Sequence, residues 1–231
     1  MIQEEKKNIG SLFDGIAKSY DFLNHFLSLN IDKQWRKKAI NVLIPCDRLL
    51  DVATGTGDFA IEILKQNKAK QIYGIDVSKE MIAIGRKKTA ALKTSADIKL
   101  QQEDVCSLSF EDNSFEAVSC AFGVRNFSDL DKGLKEMFRV LKEKGQIIIL
   151  EFSYPQNPII KFFYNLYFTA VLPLIGKIVS KDKRAYKYLP QSVKTFYQGE
   201  QFLQHLQQAG FKKTRYKNLS FGICTIYIGE K

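Results

Sequence analysis

The segment Leu49-Leu50-Asp51-Val52-Ala53-Thr54-Gly55-Thr56-Gly57-Asp58-Phe59-Ala60 concentrates residue types that can hold a nucleotide-like ligand. Gly55 and Gly57 form a G-x-G between an apolar run and a helical one. Glycines permit a tight turn and let a ligand approach the backbone, and a helix N-terminus offers free N–H groups to an anionic moiety. A plain strand-to-helix turn often uses a single glycine. Two of them, with Thr54, Thr56, Asp51 and Asp58 around them, favour a binding loop. Asp76 ends the next apolar run, where a carboxylate can accept hydrogen bonds from two ribose hydroxyls. Asp76 could instead cap the following helix, but Ser78 can serve there and leave it for a ligand. A third run ends at Glu103-Asp104-Val105. Asp104 can accept from an adenine amino group while the Val105 N–H meets a ring nitrogen. With Ala60 in the third position the loop also reads G-x-G-x-x-A, so a dinucleotide site stays open at this point.

These residues need strands and helices to carry them. Short apolar strands at 48–53, 71–76, 98–103, 115–121 and 145–152 alternate with helical stretches at 58–66, 78–91 and 130–141. Such alternation predicts a parallel sheet with helices on both faces, and ligands then bind at the carboxyl ends of the strands. The chain before residue 48 reads as helical. Ile9, Leu12, Phe13, Ile16 and Ala17 recur at helical spacing, and Trp35 to Leu43 follows a start signal at Asp32 and stops before Pro45. Residues 155–196 carry four of the prolines and many aromatics, and read as a helical insertion after the fifth strand. A helix at 199–209 and two strands at 211–218 and 221–228 close the chain, the short link between them predicting an antiparallel pair. The expected division within one domain is a helical cap at 1–47, a cofactor-binding core at 48–154, a substrate lid at 155–196 and a C-terminal helix and strand pair at 197–231.

Composition sets outer bounds. A chain of 231 residues is too short for two full-sized domains, and 17 Phe with 10 Tyr supply far more burial than a disordered chain carries. The 35 Lys and Arg exceed the 25 Asp and Glu, so the surface should favour an anionic partner. Cys46, Cys106, Cys120 and Cys224 form no C-x-x-C and have no nearby His, which argues for reduced thiols and against a metal site. The polar Met1 to Asn8 is no signal peptide, and the uncharged run Phe162 to Gly176 is shorter than the ~20 residues a spanning helix needs. The expected compartment is the cytoplasm.

More specific segments accompany the loop. They are Phe13-Asp14-Gly15-Ile16-Ala17-Lys18-Ser19-Tyr20-Asp21 with Asn24, Ser28 and Trp35-Arg36, then Phe122-Gly123-Val124-Arg125-Asn126. They continue with Arg139-Val140-Leu141-Lys142, Gly145, Leu150-Glu151-Phe152-Ser153, Tyr186, Tyr188-Leu189, Ser192, Phe196 and Phe221-Gly222-Ile223. On these the chain resembles class I S-adenosylmethionine-dependent methyltransferases, and more narrowly the demethylmenaquinone/ubiquinone-biosynthesis C-methyltransferases. The resemblance spans nearly the whole chain. Two departures stand out: Asp32 occupies the position of the family's usual His, and Glu143-Lys144 replaces its Pro-Gly.

The resemblance implies a Rossmann-like sheet of seven strands with an antiparallel last strand. It implies S-adenosylmethionine as co-substrate, with Thr56 along the methionine part, Asp76 on the ribose, and Asp104 with Val105 at the adenine. The substrate it implies is a prenylated hydroquinone, demethylmenaquinol being preferred to a dual role that also serves ubiquinone synthesis. No metal and no nucleic acid are expected. C-methylation requires an electron-rich ring carbon, which the hydroquinone offers and the quinone does not. Arg125 is the first candidate to stabilise the developing phenolate, although a surface pair with Asp129 or Asp131 is the simpler reading of an Arg there. Tyr20 can bond the substrate or merely pack its helix. Asp58 can assist the cofactor or proton removal, or merely suit a helix first turn. Asn126 is a weaker candidate, and His25 and His205 read as structural. Phe162-Phe163-Tyr164, Leu166-Tyr167-Phe168 and Leu172-Pro173-Leu174-Ile175, followed by Lys177, Lys181, Lys183, Arg184 and Lys187, suit an isoprenoid tail and peripheral contact with an anionic bilayer. Rival readings are a nucleic-acid methyltransferase, a non-catalytic relative that keeps the fold, and a nicotinamide-dependent oxidoreductase.

Overall fold

The computed structural model describes residues 9–92, 97–171 and 183–231. Seven strands form one sheet in the order β3-β2-β1-β4-β5-β7-β6. They are β1 (Cys46–Val52), β2 (Ala69–Asp76), β3 (Asp97–Gln102), β4 (Phe115–Ala121), β5 (Leu141–Phe152), β6 (Lys212–Leu219) and β7 (Cys224–Glu230). Strands β1 to β5 run parallel, and β7 lies antiparallel between β5 and β6. The strand order reverses beside β1, and a ligand crevice opens where order reverses, beyond the carboxyl ends of β1 and β4.

The central strands β1, β4, β5 and β7 are largely buried on both faces, successive side chains pointing to opposite sides, while the edge strand β6 is mostly exposed. Ile147 and Ile149 of β5 enter one core with Leu50, Val118, Leu134, Met137, Phe202 and Leu206. Ile148 and Leu150 enter the other, with Leu49, Ile72, Trp35, Ile40, Phe59 and Ile63. The covering helices are α1 (Ile9–Leu27), α2 (Ile31–Asn41), α3 (Asp58–Lys65), α4 (Lys79–Ala90), α5 (Leu130–Val140), α6 (Pro158–Leu166), α7 (Lys183–Thr195) and α8 (Glu200–Gln208). Helices α2 and α3 cover one face and α5 with α8 the other. Ser78 caps α4 by accepting from Met81 N, and Asp129 caps α5 by accepting from Lys132 N.

Three local readings change. Helix α2 starts at Ile31, one residue before the expected start signal Asp32; Asn30 precedes it at φ 61 without a side-chain cap. Asp32 is inside the first turn, and its carboxylate pairs with Arg36 rather than capping. Strand β5 begins at Leu141, ahead of the expected Gly145. Its pairing jumps from Phe115↔Leu141 to Ala117↔Gln146, with Lys144 at φ 63 inside the irregular stretch. Strands β6 and β7 are joined through a 3-10 turn, Ser220–Gly222, with Phe221 at φ 58. The described parts of the segment after β5 are helical: Asn157 caps α6, Tyr167–Val171 extends it as a π-helical turn, and α7 follows at Lys183–Thr195. Leu172-Pro173-Leu174-Ile175, Lys177, Lys181 and the polar stretch Met1 to Asn8 lie outside the described residues. None of the described helices is long and apolar enough to cross a membrane.

Candidate active site

Beyond β1 the backbone turns at Ala53, with φ 52, and enters the glycine loop, where Gly55 has φ 57 and Gly57 has φ 84. L-residues rarely adopt such angles, so two glycines and a strained Ala mark this turn. Thr54 holds the loop down: its N–H donates to Ile75 O at 2.9 Å and its hydroxyl to Asp51 Oδ2 at 2.7 Å. Asp51 also accepts from the Ser119 hydroxyl at 2.6 Å, which ties β1 to β4. Burial nevertheless raises the Asp51 carboxyl to about 6, with those two hydroxyls offsetting only part of the cost.

Asp76 ends β2 directly opposite the loop. Its Oδ2 accepts from Gly55 N at 2.9 Å and its Oδ1 from Ser78 N at 2.9 Å. Each oxygen keeps a lone pair for a further donor. Burial lifts this carboxyl to about 6, against the pull of the Ser78 and Gly55 N–H groups. Asp76, Gly55, Asp104 and Val105 all line one cavity of about 370 Å³. Asp104 is oriented by Cys106 N, which donates to its Oδ1 at 2.9 Å. On the β4 side Gly123 lets two loops meet, since a Cβ there would lie 2.5 Å from Ala53 Cβ.

Helix α1 supplies a wall that strand patterns do not predict. Ile9, Gly10, Phe13 and Tyr20 line the cavity. Asp14 docks this helix on the N-terminus of α4, accepting from the Ser78 hydroxyl at 2.5 Å and from Glu80 N at 3.1 Å. Tyr20 stands edge-on to Phe13, ring centroids 5.8 Å apart.

Thr56 and Asp58 lie in an adjoining smaller recess that shares Gly55 and Tyr20 with the cavity. The Thr56 hydroxyl donates to Asp21 Oδ1 at 2.5 Å, and Lys88 Nζ reaches Asp21 at 2.9 Å, Thr56 at 3.1 Å and also Asp58. His25 Nε2 meets Asp58 at 3.2 Å while its Nδ1 meets Asp32 at 2.8 Å. Burial pushes the Asp58 carboxyl up, but Arg36, Lys88 and His25 together outweigh it and hold the group below the usual range. Asp32 accepts also from Arg36 and from the Ser28 hydroxyl. The residue that departs from the family pattern thus anchors a polar network joining α1, α2 and the glycine loop.

Arg125 lies in the 3-10 turn Val124–Asn126 after β4 and is only 5% exposed. It pairs with neither Asp129 nor Asp131: Asp129 caps α5 and Asp131 meets His205. Its guanidinium donates to Glu151 Oε1 and Phe122 O, each at 2.6 Å. Burial disfavours its charge, yet the Glu151 carboxylate holds its pKa above the ordinary value. Asn126 lines the cavity, and its Oδ1 accepts from the Tyr188 hydroxyl at 2.9 Å. The structure therefore gathers Gly55, Asp76, Asp104, Val105 and Tyr20 at the cavity. It sets Thr56 and Asp58 beside them and Arg125 in a buried ion pair, while Gly57 shapes the start of α3. Sequence reasoning missed Lys88, Asp21 and Glu151 as partners. Only Glu151 carried a signal, being a charge inside an apolar strand.

A profile of the ubiE/COQ5 methyltransferase family matches residues 1–231. The demethylmenaquinone methyltransferase of Bacteroides fragilis is 46% identical over 230 residues, covering 99% of this chain and 94% of that protein. The ubiquinone/menaquinone biosynthesis C-methyltransferase UbiE of Geotalea daltonii is 45% identical over 233 residues, covering 100% and 99%. Among solved structures, a SAM-dependent methyltransferase from Thermotoga maritima superimposes with a TM-score of 0.67 at 19% identity, covering 96% of this chain and 99% of the other. That likeness bears on the fold, and the expected class I methyltransferase sheet is the one found.

Proposed function

We propose, because the chain belongs to the ubiE/COQ5 methyltransferase family, that it methylates a ring carbon of demethylmenaquinol to give menaquinol, with S-adenosylmethionine as donor. The observation that carries this reading is the convergence of Gly55, Asp76, Asp104 and Val105 on one cavity at the ends of neighbouring strands. These residues fit the donor. Asp76 keeps acceptor capacity for two ribose hydroxyls, Asp104 and Val105 suit an adenine edge, and the cavity volume lies in the ~300–1,000 Å³ range of small-molecule sites. The bound donor supplies an electrophilic sulfonium methyl.

The chain's own residues do the rest. Gly55 and Gly57 bring the backbone close to the methionine part. Thr56, whose hydroxyl is engaged by Asp21, contributes its backbone there. Arg125 stabilises the phenolate that forms as the hydroquinone hydroxyl loses its proton and that then attacks, its own charge retained by Glu151. Tyr20 orients the substrate from the α1 wall. Asp58, kept ionised by Lys88 and Arg36, assists at the methionine end or in proton removal. A hydroquinone is required because the ring must donate electrons to the methyl carbon. In this reading residues 1–47 cap the 48–154 core, 155–196 form a lid for the isoprenoid tail, and 197–231 complete the sheet. The site is cytoplasmic and peripheral to the membrane. Exposed Ile159, Phe162, Phe163 and Leu166 on α6 support that contact.

The test is transfer of label from S-adenosylmethionine to chemically reduced demethylmenaquinol, with the oxidised quinone as control. Label is expected in the organic phase only with the reduced substrate. Absence of transfer to either, with the donor still bound, would sink the substrate assignment. The Geotalea relative's name favours one further reading, a dual role that includes ubiquinone synthesis. Transfer to a prenylated benzohydroquinone at a comparable kcat/KM would establish it.

A further inference from the structure

Among the described residues, four buried side-chain atoms have no hydrogen-bond partner: Nε of Arg36, Arg48 and Arg125, and the hydroxyl of Tyr164. Each arginine lies over at least one aromatic ring, which partly accounts for its Nε. The Tyr164 hydroxyl has no such account. The residue is 5% exposed, and its ring packs against Tyr154 at 5.4 Å and Phe168 at 4.4 Å. Its neighbour Tyr154 has found a partner, donating to Asn165 Oδ1 at 3.1 Å. A buried, unpaired hydroxyl is costly, native proteins hold few of them, and a catalytic role is among the reasons that keep one.

The position of Tyr164 says which ligand. The charge of Arg125 bears on it, as it does on the phenols of Tyr20 and Tyr188. Tyr20 lines the cavity, and Tyr188 is bonded to Asn126, which lines it too. Arg125 lies over the Phe152 ring while Tyr164 packs against the ring of Tyr154, two residues further on, and two buried donors here, Arg125 Nε and Tyr164 Oη, are unspent. Helix α6 ties this cluster to the tail surface: Tyr164 is buried while Phe162 and Phe163 of the same helix are exposed.

We propose that Tyr164 is a further catalytic residue whose hydroxyl, with Arg125 Nε, donates to the hydroquinone oxygen on which negative charge develops. The inference rests on the C-methylation reading above. Burial pushes the Tyr164 phenol up, more than the Arg125 charge draws it back, so it stays protonated and acts as a donor. The step balances without proton transfer by this residue. The hydroquinone hydroxyl first loses its proton to water; the S–CH3 bond then breaks as the C–C bond forms, S-adenosylhomocysteine leaves, and the resulting dienone gives its ring-carbon proton to water as the product oxygen is reprotonated. A neutral donor and a cation fixed in a water-poor site stabilise the phenolate over the neutral hydroquinone from which it forms, and so raise the share of the attacking species.

The test is Tyr164→Phe, which deletes one unpaired oxygen. The expected result is a fall in kcat of roughly 100-fold, the effect of removing one oxyanion donor. Donor affinity should be unchanged and the melting temperature no lower. A second readout is the absorbance titration of 4-methoxy-1-naphthol bound with S-adenosylhomocysteine. Wild type should bind it with a depressed naphthol pKa, and the variant should return that pKa towards the free value. Wild-type kcat in the variant would overturn the proposal. So would lost activity with a lower melting temperature and an unmoved naphthol titration. A wild-type enzyme inert towards demethylmenaquinol would defeat the C-methylation reading instead, and the naphthol titration would still decide for Tyr164.

Discussion

As the proposed ribose acceptor, Asp76 faces two opposed demands. It must be ionised for both oxygens to accept ribose hydroxyls, yet its burial raises the carboxyl to about 6. A bound donor's hydroxyls favour the ionised form, so protons and donor compete. Affinity for S-adenosylmethionine should be full above about pH 6 and fall by up to roughly tenfold per pH unit below it. Calorimetric titrations across this window check the slope, and a pH-independent affinity would remove Asp76 from the ribose. Stability runs the other way. The folded pKa lies above the ordinary carboxyl value of 3.8, so the folded chain holds its proton longer. The Asp76 contribution is then full below that value and is lost as pH rises to about 6. Asp51, raised to about 6 as well, adds a second loss in the same window. The placement of Asp76 and Asp104 at one cavity was legible in the sequence because a strand end is a local pattern. The partner of Arg125 was not, since Glu151 lies 26 residues away on another strand.

At the scale of elements, the site depends on how closely the β1 and β4 ends approach. Ala53 and Phe122 both hold positive φ there, at 52 and 61. Gly123→Ala would set a Cβ 2.5 Å from Ala53 Cβ and 2.7 Å from Cys120 Sγ. Neither contact is with a flexible side-chain tip, so the loops must part. The expected cost is ~1–3 kcal/mol of stability, read as a lower melting temperature, together with weaker donor binding. Thermal unfolding and calorimetry check both, and an unchanged variant would mean the two loops yield without effect. Strand and helix existence was legible from periodicity, while their edges were not. The start of α2 moved to Ile31 because the Asp32 carboxylate is drawn to Arg36, His25 and Ser28. The roof over the cavity was illegible for a related reason. The pattern of α1 shows which face is apolar but not that Asp14 will dock it on α4.

For the molecule as a whole, charge and exposure bear on where it works. The formal net charge is +10, and α6 leaves Ile159, Phe162 and Phe163 more than 60% exposed. An apolar face on a basic protein binds anionic bilayers by insertion and by charge together. Flotation with phosphatidylglycerol vesicles should recover the wild-type protein, less so at high salt. Phe162→Ser with Phe163→Ser should weaken that binding by at least about tenfold, given ~0.8 kcal/mol per buried methylene. Wild-type protein that stays unbound at low salt would rule out the peripheral membrane contact.

The sequence by itself determined the alternation of strands and helices, the glycine turn, and the acidic residues at successive strand ends. Each depends on neighbours a few positions away, and the right-handed crossover rule carries such local order into a sheet. Tertiary structure alone decided which distant charges meet. It paired Arg125 with Glu151, closed Lys88 onto Asp21 and Asp58, set His25 between Asp32 and Asp58, and left the Tyr164 hydroxyl unpaired. Burial makes those contacts strong, and burial is settled only when helices from different parts of the chain close over the sheet.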